Sequence, residues 1–373
     1  VAPSPERAAR KLVAGPEQSS RYNSLRTMTE IPLPDDAAFA AARARQAVLT
    51  KPHGALGRLE ELACWFAARQ KRGTPVPAVA AITVFAADHG VTAQGVSAYP
   101  REVTAQMVAN FARGGAAISV LARRAGARLT VVDVGVAGDF PGGEAIVHAS
   151  IRPGTDDLSL VPAMTRANVE RAIAVGAERA AADIAAGATL LVAGDMGIGN
   201  TTAAACLVCA FTNELPDAIV GHGTGLDEAG RARKVAVVER ALARAWARAP
   251  RDASDWLAQV GGLEIAAMSG YYIEGARRGV PLLLDGFISG AAALVARAIA
   301  PRVVDWMLAA HASAERGHRA ALRHLGLEPL VDLGLRLGEG SGAALVLPLI
   351  DAAIALHAEM ATFEEAGVSR RDP

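Results

Sequence analysis

Two acids inside glycine-rich loops are the residues of this chain best placed to do chemistry. Asp195 stands in Gly194-Asp-Met-Gly-Ile-Gly-Asn-Thr-Thr202, directly after the apolar run 190–193. Glu339 stands in Gly338-Glu-Gly-Ser-Gly342, just ahead of the apolar stretch 343–349. A carboxylate flanked by glycines at the mouth of a buried segment can serve as a general base in a partly desolvated pocket. Its plainer role is an acid that favours a helix N-terminus. A third loop, Gly221-His-Gly-Thr-Gly225, precedes a helix opened by Asp227-Glu228, with Arg231, Arg233 and Lys234 one turn on. Alternating glycines can turn several backbone N–H groups toward one phosphate, and Lys234 can add a point charge. The plainer alternative is a loop followed by a charged solvent face.

The loop at 194–202 lies between a strand-like run and an Ala-rich stretch, 203–210, that reads as a helix. Strand, glycine loop, helix is the arrangement that brings an anion to a helix N-terminus. It is neither of the two common nucleotide motifs. No Lys follows its last glycine, and its glycines are not spaced G-x-G-x-x-G. The small polar residues Asn200, Thr201 and Thr202 supply caps for the following helix, which leaves Asp195 free for the pocket.

The elements that must position these residues repeat one design. Apolar runs at 79–87, 129–132, 190–193 and 281–284 end respectively in Asp88-His89-Gly90, Asp133-Val-Gly135, Gly194-Asp195 and Asp285-Gly286. A weaker strand, 331–337, ends in Gly338-Glu339-Gly340. Helical segments at 104–125, 166–186 and 227–247 separate them. Strands alternating with helices predict an α/β fold with a doubly wound, largely parallel, Rossmann-like sheet. Ligands in such sheets gather at the carboxyl ends of the strands. The chain ends differ: 36–46, 57–69 and 345–363 read as helices without strand signal. These predict a small helical domain, 31–78 plus 343–373, beside a large α/β catalytic domain, 79–342. Residues 1–30 mix Pro, Ser, Arg and Glu without periodicity and read as a mobile extension, with no apolar run for a signal peptide.

Composition removes several function classes. Lys+Arg 38 balance Asp+Glu 38, so no global field favours nucleic acid or a membrane surface. Apolar stretches are interrupted before the roughly 18 residues a membrane-crossing helix needs, so no membrane insertion is expected. With 3 Cys there is no paired framework, which suits a cytoplasmic setting. Cys206 and Cys209 form a C-x-x-C in an apolar helical stretch and read as buried small side chains. His89 and His222 lack a second ligand at helical spacing, so no metal is assigned.

Lys51-Pro-His-Gly-Ala-Leu-Gly-Arg-Leu-Glu60 resembles the K-P-P-G-S-L-G-R-L-E segment of the nicotinate-nucleotide–dimethylbenzimidazole phosphoribosyltransferases. Ala87-Asp-His-Gly-Val91, the loops at 194–202 and 221–226, Asp285-Gly-Phe287, His311-Ala-Ser-Ala-Glu315 and 337–342 resemble that family's blocks in the same order. The resemblance covers roughly residues 35 to 370. It implies transfer of 5-phosphoribose from nicotinate mononucleotide to a benzimidazole base in cobalamin assembly, without cofactor or metal, by a two-fold homodimer. The apolar C-terminal helix and the helical opening segment offer surface for such a dimer.

Carried over residue by residue, the resemblance implies Glu339 as the base that takes the benzimidazole N–H proton. Gly223, Gly225, Lys234 and Ser313 match positions that hold the nucleotide phosphate. Met196 and Gly197 match the loop beside ribose and bases, while Ser97 and Gln106 are expected to line the acceptor pocket; apolar Leu337 and Met196 suit the flat wall that a fused aromatic ring needs. The family loop often reads G-E-M-G-I-G-N. Here Asp195 takes the acid position with one methylene less reach, as a second catalytic carboxylate. Two alternatives stand beside this reading: the same chemistry on adenine or a phenol, and a nucleotide binder without turnover.

Overall fold

The computed structural model describes residues 30–140, 143 and 146–369; the extension expected at 1–30 lies outside them except for Glu30. Helices α1 (Asp36–Gln46) and α2 (Arg58–Gln70) lead into strand β1 (Ala80–Ala87). Then come α3 (Val103–Ala112), α4 (Ala117–Arg124), β2 (Arg128–Gly135), β3 (Ile146–His148), α5 (Arg166–Ala185) and β4 (Leu190–Met196). The chain continues through α6 (Asn200–Thr212), the single turn α7 (Pro216–Ile219), α8 (Glu228–Trp246), α9 (Ala253–Val260), α10 (Leu263–Arg277) and β5 (Leu282–Leu284). It ends with α11 (Phe287–Ile299), β6 (Met307–His311), α12 (Arg316–Leu325), β7 (Pro329–Val331) and α13 (Ser341–Glu359).

Among the described residues seven strands form one sheet in the order β3-β2-β1-β4-β5-β6-β7, and every pairing in it is parallel. The chain winds outward from β1 to β3, returns to β4 beside β1, and winds outward the other way. The β1–β4 boundary is therefore the topological switch point, where a crevice opens beyond the carboxyl ends. Side-chain alternation assigns the two faces. Ala81, Phe85, Leu191 and Ala193 pack with α5, α6, α10 and α11. Ile82, Val84, Leu190, Val192 and Leu283 pack with Leu62 and Phe66 of α2, Ile118 of α4, and Val346, Ile350 and Ile354 of α13. Helices on both faces explain why these strands read as unbroken apolar runs.

The terminal helices also meet each other. Arg45 donates to the carbonyls of His357 and Ala358 at 2.8 and 2.9 Å, and Leu49 bridges Thr362. Below the sheet's other face, α5 crosses α10 at Gly176 and Gly270. A methyl group at 176 would overlap the Ala267 carbonyl, and one at 270 the Ile173 carbonyl. Backbone-to-backbone contact at this crossing holds two long helices flat against the central strands.

Several boundaries differ from the sequence expectation. Segment 104–125 is two helices, because Gly114 turns with positive φ between them. The weak strand 331–337 shrinks to β7, since Asp332 and Gly334 break the extended run. The third β-strand, Ile146–His148, carries too short an apolar pattern to read. β4 runs on through Gly194, Asp195 and Met196, so Asp195 is a strand residue rather than a loop residue. Asn200, Thr201 and Thr202 do not cap α6: its cap is Gly199, without a side-chain bond. The last helix is continuous from Ser341 to Glu359 despite Pro348. By length and composition it could cross a membrane, contrary to the expectation that no stretch is long enough, yet 56% of its apolar window is buried against the sheet and its neighbours.

The α5–α10 crossing makes a direct prediction. Gly176→Ala should destabilise the fold by about 1–3 kcal/mol, the usual cost of overpacking, measured by urea denaturation with an unchanged m-value. An unaltered midpoint would show that the helices part without cost.

Candidate functional site

Three of the sequence's candidate elements converge at the switch point. Gly194 of β4 lies under the backbone of Glu339, so closely that a methyl group there would overlap the Glu339 carbonyl. Gly197 lies likewise against the Ala87 carbonyl at the end of β1. These two contacts, rather than loop freedom, explain the glycines. They lock the loops after β1, β4 and β7 into one surface.

Glu339 and its neighbours Gly338 and Gly340 all have positive φ, at +65°, +84° and +85°. For a glutamate this backbone is strained, and it persists only where the surroundings dictate it. Asp285, fully buried at the end of β5, supplies that frame. Its carboxylate accepts the N–H groups of Gly340 at 3.2 Å and Ala343 at 2.9 Å, finishing the start of α13 that no side chain of its own caps. Glu339 is only 5% exposed, and the Ile118 N–H donates to its Oε2 at 3.3 Å. Burial raises its pKa to about 6; the Ile118 amide opposes this and the charge of Asp285 adds to it.

Asp195 lies beside Glu339. A Cβ at Gly338 would sit 3.1 Å from the Asp195 Oδ2. Burial lifts its pKa well above the carboxylate range, with Asp285, Glu264 and Glu339 adding and the Asn200 amide opposing. That amide donates to Asp195 Oδ2 at 2.9 Å. The Glu339 charge adds to the rise at Asp195, so the two acids are electrostatically linked.

The third loop turns toward the same edge. Gly223 has φ +53°, and a side chain there would meet Lys234 Nζ at 3.0 Å and Thr201 Oγ1 at 3.1 Å. Lys234 is 1% exposed, not on a solvent face, and its Nζ donates to Thr201 Oγ1 at 2.7 Å. Burial lowers its pKa to about 8, with Glu315 opposing. Gly225 has φ +108° and open space beside it. Ser97 Oγ lies 3.1 Å from Thr224 Oγ1, which ties the segment after β1 to this loop. Ser313 is buried; its N–H donates to His318 Nδ1 at 2.9 Å and its Oγ accepts from the Glu315 N–H at 3.3 Å. The Glu315 carboxylate lies against Gly221. A cation, hydroxyls and turned glycines so arranged can hold an anion.

The remaining candidates are more dispersed. Met196 is buried at the end of β4. Gln106 is exposed in a separate cleft of about 550 Å³, with Asp88, Arg101 and Phe140. Leu337 is 58% exposed and forms no buried wall. His89 is bound to Glu264, Nε2 to Oε1 at 2.8 Å, and His222 to the Leu226 carbonyl at 2.8 Å. Among the described residues no group of three or more His, Cys, Asp or Glu could hold a metal ion. Cys206 and Cys209 are free, buried thiols pushed upward by burial, Cys209 to about 12. Sequence reasoning noted Asp285 at a strand end without giving it a site role, and missed Arg336, whose Nη1 donates to the Gly223 carbonyl at 3.0 Å. Asp285 ends a strand as Asp195 does, and that shared pattern was the available signal.

A family model described as phosphoribosyltransferase matches residues 31–368. The chain is 60% identical, over 90% of its length and 97% of the relative's, to the nicotinate-nucleotide–dimethylbenzimidazole phosphoribosyltransferase of Chromobacterium violaceum. It is 51% identical to the enzyme of that name from Chloroflexus aurantiacus, over 92% and 98% of the two chains. The crystal structure of the Thermus thermophilus enzyme superposes with a TM-score of 0.85 at 51% identity, over 90% and 99% of the chains.

The buried lysine predicts a pH-dependent anion site. Lys234→Ala should weaken inorganic phosphate binding at least about tenfold, the loss of one charge-assisted contact, measured by calorimetry. In the wild type, affinity should fall as pH rises through about 8, because the lysine loses its charge there. Equal affinity in both proteins would move the anion elsewhere.

Proposed function

The chain belongs to the phosphoribosyltransferase family whose members carry the name nicotinate-nucleotide–dimethylbenzimidazole phosphoribosyltransferase, and from that premise we propose that it moves the phosphoribosyl group of nicotinate mononucleotide onto 5,6-dimethylbenzimidazole. The products are alpha-ribazole 5′-phosphate and nicotinate, a step in cobalamin biosynthesis. One benzimidazole nitrogen attacks ribose C1 as the bond from C1 to the pyridinium nitrogen breaks, and nicotinate leaves with that electron pair. Attack from the face opposite the leaving group inverts C1. The proton on the acceptor's other ring nitrogen passes to Glu339.

The observation that carries this reading is a buried carboxylate, Glu339, that ionises near pH 6, beside an anion cradle. Glu339 is charged at neutral pH and still basic enough to take a proton, the balance a general base needs. Lys234, Ser313 and the amides of Gly223 and Gly225 hold the 5′-phosphate in this proposal. Met196 and Gly197 flank the ribose, and Asp195 orients ribose or acceptor as partner carboxylate. Ser97, tied to Thr224 of the third loop, remains the acceptor-side residue nearest this site in the proposal, while Gln106, in a separate cleft, and Leu337, exposed, would meet the acceptor only outside it. The reaction needs no cofactor or metal, and the equal numbers of acids and bases give no reason to invoke nucleic acid.

We propose a homodimer built on α13. Leu345, Pro348, Leu349 and Ala352 are exposed at helical spacing, beside exposed Val120 of α4. Residues 31–78 with 343–373 are proposed as a small helical unit beside 79–342, supported by the bonds from Arg45 to the end of α13. A cytoplasmic setting suits three free, buried thiols.

Purified enzyme with nicotinate mononucleotide and a panel of acceptors should give the ribotide of dimethylbenzimidazole at the highest kcat/KM; a preference for adenine or a phenol would reassign the acceptor. Glu339→Gln should bind nucleotide normally but lose turnover by roughly 10²–10⁴-fold, and wild-type turnover should fall below about pH 6 as Glu339 gains a proton. Near wild-type rates in the variant would remove Glu339 as the base. Leu349→Asp should convert a dimer to a monomer in light scattering at micromolar concentration; a wild-type monomer would remove the proposed interface.

A further inference from the structure

His311 ends β6 in a place that the reaction above leaves without a task. It is 3% exposed, and its Nε2 lies 3.5 Å from Asp285 Oδ1. Its ring lies against the first turn of α13, where any side chain at Gly342 would collide with it. Asp285 uses its two oxygens on the Gly340 and Ala343 amides, one on each. A line of contacts therefore runs from the His311 ring, through the Asp285 carboxylate, to the backbone that directly follows Glu339, at Gly340 and in the first turn of α13.

We propose that His311 is a positioning residue for the proton-transfer step: through Asp285 it fixes the amide frame that holds Glu339 in its left-handed conformation, and its charge balances Asp285 so that Asp285 does not hold Glu339 protonated. This rests on the reading of Glu339 as the proton acceptor.

The surroundings decide whether the balance is needed. Asp285 is fully buried at the end of β5, and an uncompensated charge there is costly. Facing Glu339 are Asp285, Asp195 from β4 and the Ile118 N–H from α4. Asp195 in turn faces Glu264 from α10. Among the described residues no Lys or Arg hydrogen-bonds to Asp195, Asp285 or Glu339; His311, through Asp285, is the titratable base drawn up to this group. Facing His311 are Asp285, His318 from α12 and, farther off, Asp332 beyond β7. His318 is not a competing cation. Burial drives its pKa down to about 3, and its Nδ1 accepts the Ser313 N–H, which requires that nitrogen to be unprotonated. Burial lowers His311 as well, but the bond and charge of Asp285 more than reverse that, leaving it raised. The ion pair and the acid pair thus lie back to back, with Asp285 shared.

The sign of the effect follows. Without a cation at 311, Asp285 acts on Glu339 as an unopposed negative charge, and Glu339 holds its proton to higher pH. Without the charge at 285, Glu339 releases its proton at lower pH. A purely structural role would lower kcat in either variant while leaving the acid limb where it was.

The test is the acid limb of kcat in the full-length enzyme, with nicotinate mononucleotide and dimethylbenzimidazole saturating. His311→Gln should move the limb up by about half a pH unit or more, and Asp285→Asn should move it down by a similar amount. The double variant His311→Gln/Asp285→Asn should return toward the Asp285→Asn value, since no charge remains to balance. Limbs unmoved in both folded single variants overturn the proposal. The limb should vanish in Glu339→Gln; if it persists there, the assignment of Glu339 fails, separately from the dyad. Should both single variants fail to fold, nitrogen NMR of the wild-type histidines decides. His311 doubly protonated at pH 6.5, about its ordinary pKa, supports the charge balance, and a singly protonated ring overturns it.

Discussion

The Glu339 carbonyl occupies the space that a side chain on residue 194 would need, and the site depends on that contact between β4 and the turn before α13. Because Gly194 has no side chain, the turn settles directly over the end of β4. Asp195, the next residue, then meets Gly338 from below. A larger residue at 194 would lift the turn, withdraw Gly340 and Ala343 from Asp285, and release Glu339 from its strained backbone. The order of strands makes the contact possible, since β4 lies beside β1 at the switch point with its carboxyl end open.

Acid accumulates at this point to an unusual degree. Glu264, Asp285 and Glu339 are all buried within electrostatic reach of the buried Asp195, and Asp285 is within reach of Glu339. A fold selected only for stability would avoid the arrangement, because desolvated charge is seldom repaid by pairing. Here each acid has a separate partner: Asn200 for Asp195, His89 for Glu264, two amides and His311 for Asp285, and one amide for Glu339. Glu339, with one amide at 3.3 Å, is the acid proposed to exchange a proton.

The sheet was legible in the sequence because its strands are buried on both faces and end in Asp or Gly. Runs at 79–87, 190–193 and 281–284 correspond to β1, β4 and β5, and the glycine loops after them reach the site. Boundaries were harder where one residue does two things. Gly194 reads as a loop glycine by type, but a parallel strand admits it when another backbone must lie close. Asn200 reads as a cap by type, but its amide is taken by Asp195. Lys234 was open between phosphate ligand and solvent face because its helix carries charge all round, and only the approach of Gly223 and Thr201 buries it. Asp285 and His311 were silent as a pair, since they lie on different strands and nothing in their spacing connects them.

The helix α13 has a bearing on how the protein is made. Its residues Val346, Ile350 and Ile354 join the core on the face of the sheet where it lies against β4 and β6, and the turn at its start carries Glu339. Along the chain it follows all seven strands. On a ribosome the central strands therefore emerge with that face only partly covered, by α2 and α4, and the part that α13 fills stays open until residue 359 has cleared the exit channel. Domains of this size expose such apolar surface to aggregation while synthesis continues at about 5–20 residues per second. The same late docking delivers Glu339, the proposed base, so a nascent chain short of α13 is both the form most in need of a chaperone and one without that carboxylate in place.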